Sequence, residues 1–167
     1  MAIVKANYTR QGKRAKASVR YIENRPGKDG TRLVRTLFNA DGKVARGDVY
    51  TMIDQAGKGS YFFRLVISPD PEREDRDRDL ALRELTEQTM ASLEDRFQRP
   101  LQWVAAVHAD HAAHRHIHAL AILPGRLQVQ DFQRMRRAAT EAALAQVQQR
   151  ALAREQRERM QEEALSW

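Results

Sequence analysis

The 167-residue sequence contains no cysteine. That removes disulfides, thiolate metal sites and cysteine nucleophiles together, and it suits a reducing cytoplasm. No run of about 18 apolar residues occurs, so no segment qualifies as a membrane-crossing helix. The opening "MAIVKANYTR" has neither the apolar stretch nor the cleavage site of a secretory signal. A phosphate-binding loop is missing as well. Around "GKGS" (57–60) its upstream glycine would have to fall at Met52. There is no His-Glu-x-x-His pair of the metalloprotease kind. Histidine itself is scarce: the chain has five, and all lie between His108 and His118.

What remains is a chain of globular composition, 42% apolar and 31% charged, long enough to bury a core. Its net charge of +7 is unevenly spread. Residues 1–35 hold ten Lys and Arg against Glu23 and Asp29, a balance of 10 − 2 = +8. A block of this kind favours a polyanionic partner, most simply nucleic acid.

Residues 2–9 alternate as a strand, and residues 12–27 read as a short helix closed by Pro26 and Gly27. "RLVRTLF" begins strand-like, Asp41-Gly42 signals a hairpin, and a short helix starts with Asp48 as its N-cap. "YFFRLVISP" is the strongest strand, with aromatic and β-branched residues ended by Pro69. Residues 71–100 read as one long helix with an acidic start and an apolar stripe of Leu82, Leu85, Thr89, Leu93 and Phe97. "LQWVAAVHAD" and "HRHIHALAILPG" are two further strands. From Asp131 to Trp167 the pattern is helical. Phe132, Met135, Ala139 and Leu144 dock its first half, and its second half is polar nearly all round. The expected fold is α+β: a central antiparallel sheet with helices packed on it, plus a C-terminal helix. We divide it as 1–140 for the folded domain and 141–167 for a helical extension.

Side chains alternate faces along a strand. In "HRHIHALAIL" this puts His114, His116 and His118 on one face with Leu120 and Ile122, and Ile117, Ala119, Ala121 and Leu123 on the other. If the preceding strand pairs as a hairpin with His108 across from His116, Ala106 faces His118. Cross-strand partners share a face at about 5 Å between Cβ atoms. His108, His116 and His118 then form a three-nitrogen set with open coordination positions, as a catalytic metal requires. Asp110 is either an acceptor orienting one imidazole or a turn residue. His111 and His114 fall in the connecting loop, where DNA or solvent is the more natural contact. Three neutral imidazoles suit Mn, Zn, Co or Ni. Mg or Mn would need further oxygen ligands, which a substrate phosphate supplies.

"VHADHAAHRHIHALAIL" resembles the metal-binding motif of the HUH endonucleases, and the spacing of His108, His116 and His118 is similar to that of plasmid mobilisation relaxases. "RAKASVRYIENRPGK" resembles their nucleophile helix, "YFFRLVISPD" their central strand and "DFQRMRRAA" the helix after the metal motif. All four tyrosines precede the histidine motif, an order similar to relaxases and unlike the replication initiators and transposases of the superfamily. On a helical wheel Ala15, Val19 and Ile22 cluster within about 60°, and Tyr21 lies about 120° away beside Arg14, Ser18 and Arg25. Tyr21 is thus the candidate nucleophile. Tyr8 is the second choice, and Tyr50 and Tyr61 read as packing residues.

The resemblance implies a HUH-like fold and a metal-dependent endonuclease and strand transferase acting on single-stranded or hairpin-flanked DNA. Its intermediate would be a 5′-phosphotyrosyl link, in the service of plasmid or mobile-element transfer. It implies Mn or Mg at the histidines, with Zn, Co or Ni as further candidates. Lys13, Arg14, Lys16, Arg20 and Arg25 would hold backbone phosphates, and accessory transfer proteins would use the C-terminal helix. A phenol, with pKa about 10, is a poor nucleophile at neutral pH, so nearby cations would assist it. Two rival readings stand beside this one. The chain is a DNA-binding module of the same fold without catalysis, or a small metalloprotein whose polar helix assembles with partners.

Overall fold

The computed structural model describes residues 1–109 and 114–166. Asp110 and His111 therefore lie outside the described residues. Ten elements run in order along the chain: β1 (Ile3–Thr9), α1 (Gly12–Asn24), β2 (Phe38–Asn39), β3 (Gly42–Lys43), α2 (Arg46–Asp54), β4 (Tyr61–Ser68), α3 (Leu82–Phe97), β5 (Gln102–His108), β6 (His116–Leu123) and α4 (Val129–Leu165). The strands form one six-stranded sheet in the order β1-β4-β6-β5-β2-β3, and every neighbouring pair is antiparallel.

Helices cover both faces of the sheet. On one face Leu65, Ile67, Ile117, Ala119, Ala121 and Leu123 pack against Leu85, Met90 and Leu93 of α3 and Met135 and Ala139 of α4. On the other, Phe62, Val104, Ala106, Leu120 and Ile122 pack under Ala15, Val19 and Ile22 of α1 and Val49 and Ile53 of α2. The alternation of β6 thus serves two cores. The face expected to carry imidazoles carries them at the margin of the second core, with Leu120 and Ile122 sealing it.

Several elements differ from their sequence patterns for identifiable reasons. The long helix begins at Leu82, not at residue 71. Before it, acidic side chains take the backbone amides that a helix would need, as Asp and Glu can near turns. The Asp70 carboxylate accepts from the amides of Glu72 and Arg73 at 2.9 and 3.1 Å, Glu74 accepts from Asp70 N at 2.8 Å, and Asp75 accepts from Leu80 N at 3.2 Å. Arg78 sits at φ 54, outside the helical region.

Only Phe38 of the "RLVRTLF" stretch joins the sheet, in the two-residue strand Phe38–Asn39, which meets β5 through the single pair Phe38 and Ala105. Gly42, at φ 127, closes the expected hairpin. Ala45, not Asp48, is the N-cap of α2, and Asp48 lies in its first turn. In α4 the docking is done by Met135, Ala139, Ala142 and Ala143 with the partly buried Phe132 against the same core, while Leu144 is 48% exposed. The helix runs unbroken across residues 140 and 141, and Gln146 still bonds Ala81 through both its amide atoms. From Ala151 onward the described residues are exposed, apart from a half-covered Ala153. Among the described residues no helix is long and apolar enough to cross a membrane.

A candidate metal centre beside a tyrosine-bearing helix

The β5–β6 ladder pairs His108 with His116 and Ala106 with His118, the register that brings the three imidazoles together. Their ring centroids stand 4.2 Å (His108–His118), 4.9 Å (His116–His118) and 5.6 Å (His108–His116) apart. One ring nitrogen from each lies within 4.8 Å of the others, so the group could hold a metal ion. His108 and His116 are buried, and His118 is half-buried. His114 precedes β6, half-buried, and is not one of the three.

The donor set can be tested on the tautomers. The His108 Nε2 stands 2.9 Å from the Ile22 carbonyl oxygen. A carbonyl only accepts, so Nε2 carries the proton and donates it. The lone pair of the neutral ring is then on Nδ1. That atom is the one buried side-chain nitrogen or oxygen among the described residues with no hydrogen-bond partner. A buried acceptor left unpaired costs free energy, and such atoms are rare enough to need a reason. An ion facing Nδ1 supplies one. The His116 and His118 Nε2 atoms are 3.1 Å apart. Two nitrogens bound to one ion at ~2.1 Å, with an angle of 90–110° at the ion, stand about 3.0–3.4 Å from each other. The residues fit a divalent ion.

Protonation favours the same reading. His108 is pushed down to about 3 by burial first, then by His118 and Arg35. His118 is pushed down to about 4 by burial first, then by His116 and Arg25. Both rings are therefore neutral at pH 7, the form that binds metals.

α1 brings the tyrosine. Its buried side chains are Ala15, Ser18, Val19 and Ile22, at the spacing of one helix face. Tyr21 stays 49% exposed on the flank. The last turn of α1 leaves carbonyls without intrahelical partners, and the site supplies them. Tyr21 O accepts from Arg25 N, Ile22 O from His108 Nε2, and Glu23 O from Arg35 N at 2.8 Å. The imidazole that offers Nδ1 to the centre thus pins the helix end that carries Tyr21. The Tyr21 ring lies 6.1 Å from the His118 ring, and the Arg25 guanidinium lies 5.5 Å from the Tyr21 ring centroid. Tyr8 packs against Tyr61 and Phe63, and among the described residues no ring contact joins it to the imidazoles, although it lines one hollow with Tyr21.

A cleft of about 320 Å³ opens beside the pair, between α1 and the β1–β4 strands. Lys5, Asn7, Ser18, Tyr21, Arg64 and His118 line it, and Arg64 is held by Asn7 at 2.8 Å.

The five cations singled out in the sequence divide. Lys13 and Arg20 are exposed on α1, and Arg14 shares a hollow with Tyr8, Tyr21 and Arg64. Arg25 stands at Tyr21. Lys16 instead turns to α2, where it pairs with Asp54 at 2.6 Å and sits over the Tyr50 ring. Lys5, Arg35 and Arg64 complete the positive rim. Arg35 enters by folding back on α1, donating to Arg25 O at 2.7 Å. Register was the available signal: across β1, β4 and β6, Lys5 stands in line with Val66 and His118, and Arg64 stands one same-face step along, in line with Asn7 and Leu120.

No protein-family model matches the chain, and neither a curated protein nor a solved structure matches it.

Proposed function

We propose that the protein is a metal-dependent, site-specific endonuclease and strand transferase for single-stranded DNA, with a HUH-like fold and Tyr21 as nucleophile. The observation that carries this reading is the placing of one exposed phenol beside three clustered imidazoles, with Arg25 against its ring. His108 Nδ1, His116 and His118 would hold the ion, with Mn or Mg first among the candidates and Zn, Co or Ni also compatible. When bound, such an ion polarises a phosphodiester and offsets the charge that develops on its oxygens.

The rest falls to the chain's own groups. Arg25 and Arg35 set up a positive potential at the centre, and both act to lower the His118 pKa. That potential draws a phosphate in. The Tyr21 phenolic oxygen attacks phosphorus, and the bond from phosphorus to the 3′ oxygen breaks. The phenolic proton ends on the departing 3′ oxygen. The products are a 5′-phosphotyrosyl link and a free 3′-hydroxyl, and attack by a 3′-hydroxyl reverses the step without ATP. A cleft walled by α1 suits an extended single strand, alone or beside a hairpin, better than an intact duplex. Lys5, Arg14 and Arg64 would meet its phosphates. The exposed half of α4 is free to meet accessory transfer proteins, and the reading puts the protein with plasmid or mobile-element DNA in the cytoplasm.

The test is covalent capture. A pool of 3′-labelled single-stranded oligonucleotides with Mn should yield a denaturation-resistant adduct with the wild type. Tyr21→Phe should yield none while still binding the pool. If the wild type yields no adduct, the protein is a DNA-binding module and the enzymatic reading fails.

A further inference from the structure

Two of the three imidazoles sit where a sheet is weakest. The β5–β6 ladder ends at the pair His108 and His116, and the β4–β6 ladder stops one residue short, at Ile67 and Ile117. His118 has ladder partners on both sides, Val66 and Ala106. His116 has one only. Strand ends fray, and a metal site tolerates little displacement of its ligands.

The segment between β4 and α3 meets both flanks of this end. Arg115, the residue before His116, donates to both carboxylate oxygens of Asp75 at 2.9 and 2.7 Å and to the Leu80 carbonyl at 3.1 Å. Asp75 is only 4% exposed, and Glu74 beside it 2%. Ala109, the residue after His108, offers its carbonyl to Arg78 at 3.4 Å. Arg78 reaches it from a backbone at φ 54, a conformation that costs free energy for a side-chain-bearing residue. A buried ion pair is poor evidence of stabilisation in itself, since desolvation offsets most of its attraction. It does fix geometry, because a bidentate fork is directional.

We infer that residues 70–81 form a clasp that positions the metal centre, with Asp75 and Arg115 as its positioning residues and Arg78 as a lesser one. The clasp holds the first residue of β6 through Arg115 and the end of β5 through Ala109. It is what keeps the His116 ring on the other two. The inference rests on the three histidines binding metal and is independent of Tyr21 and of DNA.

The test uses Co²⁺ alone, added to the full chain and read by its visible absorption, with thermal unfolding of the metal-free protein alongside. Removing one partner leaves a buried charge, so single changes confuse stability with geometry. The pair Asp75→Asn with Arg115→Met removes both charges and keeps an acceptor for Leu80 N. Its metal-free unfolding temperature should stay near that of the wild type, while Co²⁺ affinity falls 10- to 100-fold, as for other outer-shell changes. Arg78→Gly suits its backbone at an exposed position and cannot unfold the chain, and it should weaken Co²⁺ several-fold. Unchanged Co²⁺ affinity in Arg78→Gly and in the double variant overturns the clasp. If the double variant does not fold, unchanged affinity in Arg78→Gly alone does so. A wild type that binds no Co²⁺ strikes the metal centre itself, a different result.

Discussion

Acid should weaken the metal-free protein in a predictable window. His108 and His118 are held at about 3 and about 4 in the folded state, against about 6.5 for an unfolded histidine. Both values are depressed, so the unfolded chain binds more protons between these limits. Stability is fully present above pH 6.5 and is lost as pH falls from there toward 4 and 3. Between pH 7 and 5 the loss depends almost wholly on the unfolded value, because the folded rings stay neutral throughout. It comes to about 2 kcal/mol for each ring, about 4 kcal/mol together. For a chain of this size that lowers the unfolding temperature by about 8–16 °C. Asp70 is also held low, by the amides of Arg73 and Glu72 first. It adds little in this window, since its carboxylate is already ionised in both states. Circular dichroism melts of chelator-treated protein at pH 7 and pH 5 measure the effect, and His118→Gln should remove about half of it. Equal melting temperatures at the two pH values, or a full effect surviving in His118→Gln, would refute the reasoning.

Other outcomes rest on the same geometry. Arg14→Ala and Arg25→Ala should each reduce the salt dependence of single-stranded oligonucleotide binding by about 0.7 in the log–log slope. Lys16→Ala should leave that slope alone, because Lys16 is committed to Asp54; fluorescence anisotropy across salt concentrations separates the cases. Leu120→Ala, in the core beneath α1, should cost about 2–5 kcal/mol in urea unfolding. Ending the chain after Arg150 should change stability by less than about 0.5 kcal/mol, since the last turns of α4 are solvated.

The part of the site legible in the sequence is the part fixed by period. Alternation along residues 114–123 and one choice of hairpin register placed His108, His116 and His118 together, and the ladder has that register. The helical wheel placed Tyr21 off the stripe of Ala15, Val19 and Ile22, and all three are buried while Tyr21 is exposed. What the pattern could not carry was anything decided by side chains competing for the backbone. Residues 71–81 look helical by composition, yet their carboxylates bind amides and Arg115 instead. Lys16 lies in a cationic block, but its partner Asp54 is remote in sequence. Arg35 reaches the centre through a chain reversal that no periodicity signals. The assignment of Asp110 lies outside the described residues.

Crystals of the chain loaded with Mn, measured for anomalous scattering, test the central claim most directly. The account predicts one ion bound by His108 Nδ1, His116 and His118, with His108 Nε2–H still donating to the Ile22 carbonyl and the Tyr21 hydroxyl facing the open side of the ion. An ion bound elsewhere, or one that takes His108 through Nε2 and frees the end of α1, would contradict it.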